Sequence, residues 1–175
     1  MVEKTDIRKS TPDDIVAIEK LYPQMFLDED LLPLVGELLR DTSEILSLVA
    51  MAGGALAGHV VFTPCTVPDN AEKVALLGPL GVAPALQKQG IGSALVREGL
   101  ERLKQEGMSR VFVLGDPSYY GRFGFAAEED VLPPYPLPVE WQGAWQSLNL
   151  GGETTRLQGR LTVPEPWRQP VLWTS

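Results

Sequence analysis

The residue types best suited to binding a ligand lie between residues 76 and 96, LLGPLGVAPALQKQGIGSALV. An apolar run leads into a turn, and the turn leads into a helical pattern that begins with Gly90, Gly92 and Ser93. The first amides of a helix have no partner within it, and glycine lets a phosphate approach the backbone closely. The stretch therefore predicts a phosphate or pyrophosphate site, with an ordinary glycine-rich connection as the alternative.

Two common nucleotide motifs do not fit this stretch. A Walker loop requires Gly-Lys-Ser/Thr, which the chain lacks. A dinucleotide fingerprint requires a third glycine where this chain has Leu95. These differences disfavour both a Walker-type nucleotide site and a nucleotide-dependent oxidoreductase.

The stretch resembles the acetyl-CoA loop of the GCN5-related N-acetyltransferases, the GNAT family, which has the form Gln/Arg-x-x-Gly-x-Gly/Ala. Gln87, Gly90 and Gly92 match that form. A second match follows the next predicted strand, where residues 120–125 (YGRFGF) fit the family's Tyr-x-x-x-Gly-Phe. The resemblance covers residues 5–150 and is nearest to a bacterial branch of acetyltransferases.

The resemblance implies a mixed α/β GNAT-like fold in a single N-acetyltransferase domain, residues 1–175, with the tail 151–175 matching less clearly. That fold has a central, largely antiparallel twisted sheet with one parallel, splayed strand pair and helices on both faces. Acetyl-CoA is the implied cosubstrate, without a metal. Main-chain groups of Leu80 and Val82 would contact its pantetheine arm. The implied pyrophosphate-binding residues are Gln87, Lys88, Gln89, Gly90, Ile91, Gly92 and Ser93.

The resemblance also implies direct attack of a neutral amine on the thioester, with no covalent enzyme intermediate. Tyr120 would protonate the departing CoA thiolate, and the adjacent Tyr119 is its rival. Cys65 is then unnecessary as a nucleophile and is interpreted as a packed residue. No general base is identified. Glu72 lies only at the margin of the strand before the loop, and His59, although able to titrate near neutrality, is interpreted as structural.

Three segments predict helices. Residues 11–14 (TPDD) combine a capping hydroxyl, a proline and acids, which is typical of a helix start, and Ile15, Ile18 and Tyr22 would form its apolar face. Residues 28–40 predict a second helix that Pro33 and Gly36 shorten or kink. Residues 91–106 predict an amphipathic helix packed on a sheet.

The strand pattern is equally regular. Residues 45–51 and 55–62, separated by Gly53-Gly54, predict a hairpin. The runs 73–82 and 110–114, joined by the helix, predict a right-handed parallel crossover, with a bulge near Gly78-Pro79 and Gly81. Beyond Phe125 the chain is rich in proline, and further strands are expected at 145–150 and toward Trp173.

Composition bounds the function classes. Hydrophobic residues make up 44% and charged residues 22% of the chain, the balance of a packed globular protein. A net charge of −8 argues against a nucleic-acid partner, which requires clustered Lys and Arg, and it favours a cationic substrate only weakly. The single cysteine excludes an internal disulfide and fits a reducing cytoplasm. The absence of a signal peptide or of a long apolar run predicts a protein that is neither exported nor membrane-embedded.

Three functions stay open at this point. The leading one is an enzyme that acetylates an amine of a small molecule or a peptide. The second is a module of the same fold that binds or senses acyl-CoA without turnover, and the weakest is a nucleotide-dependent oxidoreductase. The acceptor would lie against residues 20–40 and 131–145. A homodimer is left open, since the four tryptophans at 141, 145, 167 and 173 could serve either a core or a dimer face.

Overall fold

The computed structural model describes residues 5–40, 44–151 and 157–174, which contain nine strands and five α-helices. The strands are β1 (Thr5–Lys9), β2 (Leu46–Ala52), β3 (Ala55–Cys65), β4 (Val74–Val82), β5 (Arg110–Leu114), β6 (Ala126–Ala127), β7 (Val131–Leu132), β8 (Trp145–Asn149) and β9 (Gly159–Arg160). The helices are α1 (Ile15–Met25), α2 (Leu32–Arg40), α3 (Ile91–Gln105), α4 (Pro117–Tyr120) and α5 (Val171–Thr174). None of the described helices is long and apolar enough to cross a membrane.

The strands form one seven-stranded sheet in the order β1-β2-β3-β4-β5-β8-β6, and β7 pairs with β9 in a second, two-stranded sheet. Within the larger sheet β4 and β5 run parallel, whereas the pairs β1–β2, β2–β3, β5–β8 and β6–β8 are antiparallel. This arrangement confirms the predicted fold class. The chain divides into two compact units, Met1–Phe62 with Gly78–Glu101, and Thr63–Leu77 with Arg102–Ser175.

Helices cover both faces of β3 in the first unit. A Cβ atom on Gly58 would lie 3.0 Å from Leu95 Cδ1 of α3, so this face of the strand lies directly under α3. The next residue, His59, contacts Tyr22 of α1. Since successive side chains of a strand point to opposite faces, α3 and α1 pack on opposite sides of the sheet.

The predicted hairpin is present as β2 and β3. Gly53 and Gly54 form its turn with φ angles of 59° and 80°. A two-residue turn with both central φ angles positive matches the twist of the flanking strands, and glycine adopts such angles at little cost. The pairing of Ala52 with Ala55 then sets the register of the two strands.

The predicted helix start at residues 11–14 is also present, although its first part is a 3-10 turn, Pro12–Asp14, from which α1 continues at Ile15. The Thr11 N–H donates to the Asp14 carboxylate at 2.7 Å. Arg8 donates two hydrogen bonds to the same carboxylate, and they lower the pKa of Asp14 to about 2. The start of α1 is therefore fixed to β1 by the charge-assisted hydrogen bonds between Arg8 and Asp14.

Two predictions of elements need correction, and one strand was missed. The second helix begins at Leu32 and not at residue 28, which places Pro33 in the first turn, where a missing N–H is tolerated. The strand expected toward Trp173 is wrong, because that segment is the short helix α5 and the strand of the tail is β9. The strand β1 was not predicted, since its sequence TDIRK contains a single apolar residue.

The tryptophans of the C-terminal region belong to the core of the second unit. Trp145, Trp167 and Trp173 are buried. The rings of Phe112 and Trp145 stack with centroids 5.5 Å apart, and Trp173 lies 5.9 Å from both Trp145 and Trp167. These three side chains therefore serve the core and not a dimer face.

Candidate functional site

The predicted phosphate loop connects β4 to α3 through two backbone positions in the left-handed region. The loop passes through a 3-10 turn at Pro84–Leu86 and an extended Gln87, and then reaches Lys88 with φ 64° and Gly90 with φ 83°. Lys88 adopts an angle that is uncommon for a residue with a side chain, and such angles persist where the surrounding structure fixes them. The two left-handed residues turn the chain so that α3 begins directly after Gly90.

The start of α3 offers free backbone donors. The Ala94 N–H donates to the Gly90 carbonyl at 3.0 Å. This is the first hydrogen bond of the helix, so the amides of Ile91, Gly92 and Ser93 have no acceptor within it. These amides, together with the helix dipole, favour an anion at this position.

The side chains around this helix start leave room for a phosphate. A Cβ atom on Gly90 would meet nothing within 4 Å, and residues 87–90 are exposed. Ile91 is buried, and its side chain packs toward Gly58 on β3, so only its backbone remains for a ligand. Gln87 Nε2 donates to the Val82 carbonyl at 3.3 Å, which ties the loop back to β4. The start of α3 thus leaves open space beside Gly90.

The second half of β4 extends beyond its parallel pairing with β5. The parallel register with β5 ends at Leu77 and Val113. The next residue, Gly78, has a φ angle of 145° and precedes a cis peptide bond to Pro79. Leu80 and Val82 follow and are both half-buried. The predicted pantetheine strand therefore continues beyond its ladder with β5.

Helix α1 packs directly on this part of β4. A Cβ atom on Gly81 would lie 2.6 Å from Met25 Sδ and 3.1 Å from Phe26 Cε2. The absence of a Cβ on Gly81 permits this approach, and a side chain there would require the end of Met25 to move. The end of α1 is thereby held against the strand that contains Leu80 and Val82.

Tyr120 lies at the end of α4 in the second unit. Asp116 caps this helix by accepting the Ser118 N–H at 2.9 Å. The Tyr120 ring packs edge-on against Phe125, with centroids 5.8 Å apart, and against the backbone of Gly115. Gly124, with a φ angle of 101°, ends the following turn and brings Phe125 back to Tyr120. The spacing of the motif is thus explained by this aromatic contact.

The hydroxyl of Tyr120 has no hydrogen-bond partner within the described residues, and burial raises the pKa of Tyr120 above its ordinary value. The phenol therefore keeps its proton at neutral pH. The neighbouring Tyr119 differs because the Arg122 guanidinium lies over its ring at 4.5 Å. The surroundings of the two tyrosines are distinct although their residue types are identical.

The other chemically reactive residues are buried. Cys65 Sγ donates to the Thr63 carbonyl at 3.3 Å, and burial raises the pKa of the thiol to about 12. His59 is completely buried, and this burial lowers its pKa to about 3. Both groups are neutral and remote from solvent, so neither is suited to nucleophilic or general-base catalysis. Within residues 5–40, 44–151 and 157–174, no group of three or more His, Cys, Asp or Glu side chains could hold a metal ion.

Two pockets coincide with the segments expected to contact an acceptor. The α1–α2 pocket, about 350 Å³, lies in the first unit and is lined by residues 22, 23 and 26–32. A pocket of about 550 Å³ lies in the second unit, where Leu132, Pro133, Leu137 and Trp145 contribute its apolar wall. The α1–α2 pocket is formed within one short stretch of sequence, whereas the second pocket combines residues 127–145 with Arg160 of β9, which only the tertiary fold brings together.

Comparisons with known proteins agree with this geometry. A sequence profile of the Acetyltransferase (GNAT) family matches residues 13–125. The uncharacterized N-acetyltransferase YjhQ of Escherichia coli (strain K12) is 36% identical over 140 residues, which cover 76% of this chain and 77% of that protein. The crystal structure of the GNAT family N-acetyltransferase YhbS from Escherichia coli in complex with CoA matches with a TM-score of 0.87 and 29% identity, over 97% of this chain and 94% of that one. A GNAT family acetyltransferase from Brucella melitensis, in complex with acetyl-CoA, matches with a TM-score of 0.77 and 30% identity, over 94% and 99% of the two chains.

The fold, the loop and these similarities define the class of protein. The chain belongs to the GNAT acetyltransferase family. It is an N-acetyltransferase of the class that uses acetyl-CoA, so the predicted enzyme class and cosubstrate are confirmed at the level of the family. The oxidoreductase alternative does not fit this assignment, and it does not fit a largely antiparallel sheet.

Proposed function

We propose that this protein transfers an acetyl group from acetyl-CoA directly to a primary amine of a small molecule or a peptide. The observation that carries the proposal is the start of α3, where free amides and an open glycine follow a left-handed loop. Gln87, Lys88, Gln89, Gly90, Ile91, Gly92 and Ser93 would hold the pyrophosphate, chiefly through their backbone. Main-chain groups of Leu80 and Val82 would hold the pantetheine arm beyond the β4–β5 ladder.

The chemistry proposed for the chain's own residues is limited. Bound acetyl-CoA supplies an activated acetyl thioester, and the acceptor nitrogen attacks its carbonyl carbon while the bond to sulfur breaks. Cys65 takes no part, because its thiol is buried and protonated. His59 is not the base, because it is buried and neutral. No residue is assigned as the base, and the amine is proposed to lose its proton to water or to bind already neutral.

Tyr120 is the proposed general acid. Its Oη atom would deliver a proton to the sulfur as negative charge develops there. Two features of the second unit support this role: the hydroxyl is not engaged by another described residue, and burial raises its pKa. The packing of its ring on Phe125 and Gly115 fixes the direction of the donor.

The α1–α2 pocket is the proposed acceptor site. Phe26 lines this pocket and also packs on Gly81, between the two residues assigned to the pantetheine arm. The Phe26 side chain therefore contacts both the pocket and the strand proposed to bind the cofactor. The exposed Asp28, Glu29 and Asp30 at its rim, and the net charge of −8, are compatible with an amine that arrives as a cation.

Two assays test the proposed function. Calorimetric titration with acetyl-CoA and with NAD should show binding of acetyl-CoA alone. Release of free thiol from acetyl-CoA should then be followed with a panel of polyamines, aromatic amines, amino acids and short peptides. Thiol release that depends on an amine, with the acetylated amine identified by mass spectrometry, supports the enzyme. Binding of acetyl-CoA without turnover for any amine would favour the binding or sensing module, and failure to bind acetyl-CoA would overturn both.

The cellular location and the oligomeric state of the protein are part of the same proposal. The single, reduced cysteine supports a cytoplasmic location. A homodimer also stays a proposal, although burial of Trp145, Trp167 and Trp173 removes three of the four tryptophans that could have formed its surface. Light scattering over a range of protein concentrations would determine the oligomeric state.

A further inference from the structure

A chain of four polar side chains crosses the interior of the first unit. Tyr22 Oη on α1 forms a hydrogen bond with His59 Nδ1 on β3 at 2.7 Å. His59 Nε2 forms a second hydrogen bond, with Ser47 Oγ on β2, at 2.8 Å. Ser47 Oγ accepts a hydrogen bond from Ser10 Oγ, just after β1, at 2.7 Å. Tyr22, His59 and Ser47 are buried, and Ser10 is half-buried. We call these four residues the polar chain.

The surroundings of the polar chain are apolar. Tyr22 belongs to a core cluster with Ile18, Val35 and Val49. Apolar residues would fill such a position without the cost of burying polar groups, and replacing buried polar groups in this way is often neutral or stabilising. The polar chain instead fixes the relative orientation of the side chains that it joins. A hydrogen bond fixes distance and angle, and each neutral imidazole nitrogen has one defined role as donor or acceptor.

The polar chain ends at Tyr22, next to a turn of α1 that lacks one backbone hydrogen bond. Pro23 follows Tyr22 and has no N–H to donate to the Glu19 carbonyl, so the last turn of the helix lacks one of its own hydrogen bonds. The Phe26 N–H donates to the Tyr22 carbonyl at 2.9 Å, and the two rings lie 5.5 Å apart. The position of Phe26 therefore depends on Tyr22.

Phe26 and Met25 are the residues that pack on Gly81 of β4, and Phe26 and Tyr22 both line the α1–α2 pocket. From this geometry we infer that Tyr22 is a positioning residue: its hydroxyl bond to His59 fixes the last turn of α1 and thereby the wall of the acceptor pocket. This inference rests on the proposed function for its kinetic consequence only, because the effect on α1 itself is independent of turnover.

Tyr22→Phe is the direct test, because it keeps the ring and removes only the hydroxyl. We expect the KM for the acceptor amine to rise about tenfold, while kcat and the Kd for acetyl-CoA stay within about twofold of the parent. In hydrogen exchange, the amides of residues 24–26, which are hydrogen-bonded in the last turn of α1, should exchange at least about tenfold faster, whereas those of β5 and β8 should not change. Ser10→Ala is the matched control. It removes a hydroxyl from the other end of the polar chain, and the acceptor KM should not change.

The double variant Tyr22→Phe/His59→Leu separates positioning from stability. It leaves no unpaired imidazole nitrogen in the core, so stability should recover toward that of the parent while the acceptor KM stays high. The inference is overturned if the double variant has the acceptor KM of the parent, or if its amides at residues 24–26 exchange at the parental rate. Faster exchange spread evenly over the chain would also overturn it, since that result shows a purely structural role. If no amine is acetylated by the parent, the proposed function fails, and the exchange measurement still decides whether Tyr22 positions α1.

Discussion

At the residue scale, two glycines at opposite ends of α3 share one backbone conformation. Gly90 before the helix has a φ angle of 83°, and Gly107 after it has a φ angle of 87°. A Cβ atom on either would meet nothing within 4 Å. Gly107 has a local reason for its conformation, because it ends the helix by donating to the Lys104 carbonyl at 3.1 Å. Gly90 stands instead at the proposed phosphate site.

This pair gives a prediction with an internal control. Gly90→Ala and Gly107→Ala should each lower the free energy of unfolding by about 1–2 kcal/mol, because alanine is strained in the left-handed region. Only Gly90→Ala should weaken acetyl-CoA binding, by about tenfold or 1.4 kcal/mol, because its methyl group would occupy space needed by the pyrophosphate. Calorimetric titration measures the Kd. Equal affinities for the two variants would show that the pyrophosphate does not approach Gly90.

Tyr120 gives the second prediction at this scale. Tyr120→Phe keeps the ring contacts with Phe125 and Gly115 and removes only the hydroxyl. The acid role predicts a fall in kcat of about 100-fold, with the Kd for acetyl-CoA nearly unchanged. Tyr119→Phe is the matched control and should keep kcat near that of the parent. The reverse result, a loss with Tyr119→Phe alone, would transfer the role to Tyr119.

At the scale of the element, α3 depends on glycines that permit close packing. Gly99 faces the sheet, and a Cβ atom there would overlap the ring of Phe62 on β3. Gly58 on the same strand brings the backbone toward Ile91 and Leu95. The two contacts fix the height and direction of α3 over β3. The N-terminus that would bind the pyrophosphate is therefore positioned by packing some distance away from it.

A pair of helix-interior glycines tests this packing. Gly99→Ala should lower the free energy of unfolding by about 1–3 kcal/mol, because the Phe62 ring has to move in a packed core. Gly36→Ala in α2 should raise it by up to about 1 kcal/mol, because alanine is the better helix former. The only atom closer than 3.0 Å to the new methyl is Nη1 at the end of the long Arg40 side chain, whose hydrogen bond to the Gly36 carbonyl can adjust. Urea denaturation measures both. A stabilising Gly99→Ala would contradict the close approach of α3.

At the scale of the whole molecule, the C-terminal tail completes the core of the second unit. Trp167 Nε1 donates to Thr63 Oγ1 at 3.1 Å, and Trp173 Nε1 donates to the Trp167 carbonyl at 3.1 Å. Indole rings bury a large apolar area while their N–H groups keep a partner. Residues 157–174, which the family motifs did not reach, are thus part of the folded structure.

Removal of the Trp173 ring should measure that contribution. Trp173 is 1% exposed, so Trp173→Ala should lower the free energy of unfolding by about 3–5 kcal/mol through lost burial and a cavity. Val171→Ala in the same short helix should change it by less than about 0.5 kcal/mol, because Val171 is 60% exposed. Chemical denaturation followed by tryptophan fluorescence gives both values. Similar effects of the two substitutions would show that the tail does not contribute to the core.

The sequence by itself determined the features that depend on local chemistry. The glycine pair at 53 and 54 predicted the hairpin, the periodicity of residues 91–106 predicted α3, and the two motifs predicted the family. These signals lie within short segments, where backbone conformation follows from a few neighbouring residues. The fold class followed from the family resemblance that the two motifs carry.

Only the tertiary structure decided the features that join distant segments. Tyr22 and His59 are 37 residues apart, so a hydrogen bond between them cannot be recognised before α1 packs on β3. The same packing buries His59 and makes its imidazole neutral, whereas the residue type alone suggests titration near neutrality. The charged strand β1 and the helical Trp173 segment were missed for the same reason. Pairing with a neighbouring strand and burial in a core outweigh local propensity, and neither can be read from the segment itself.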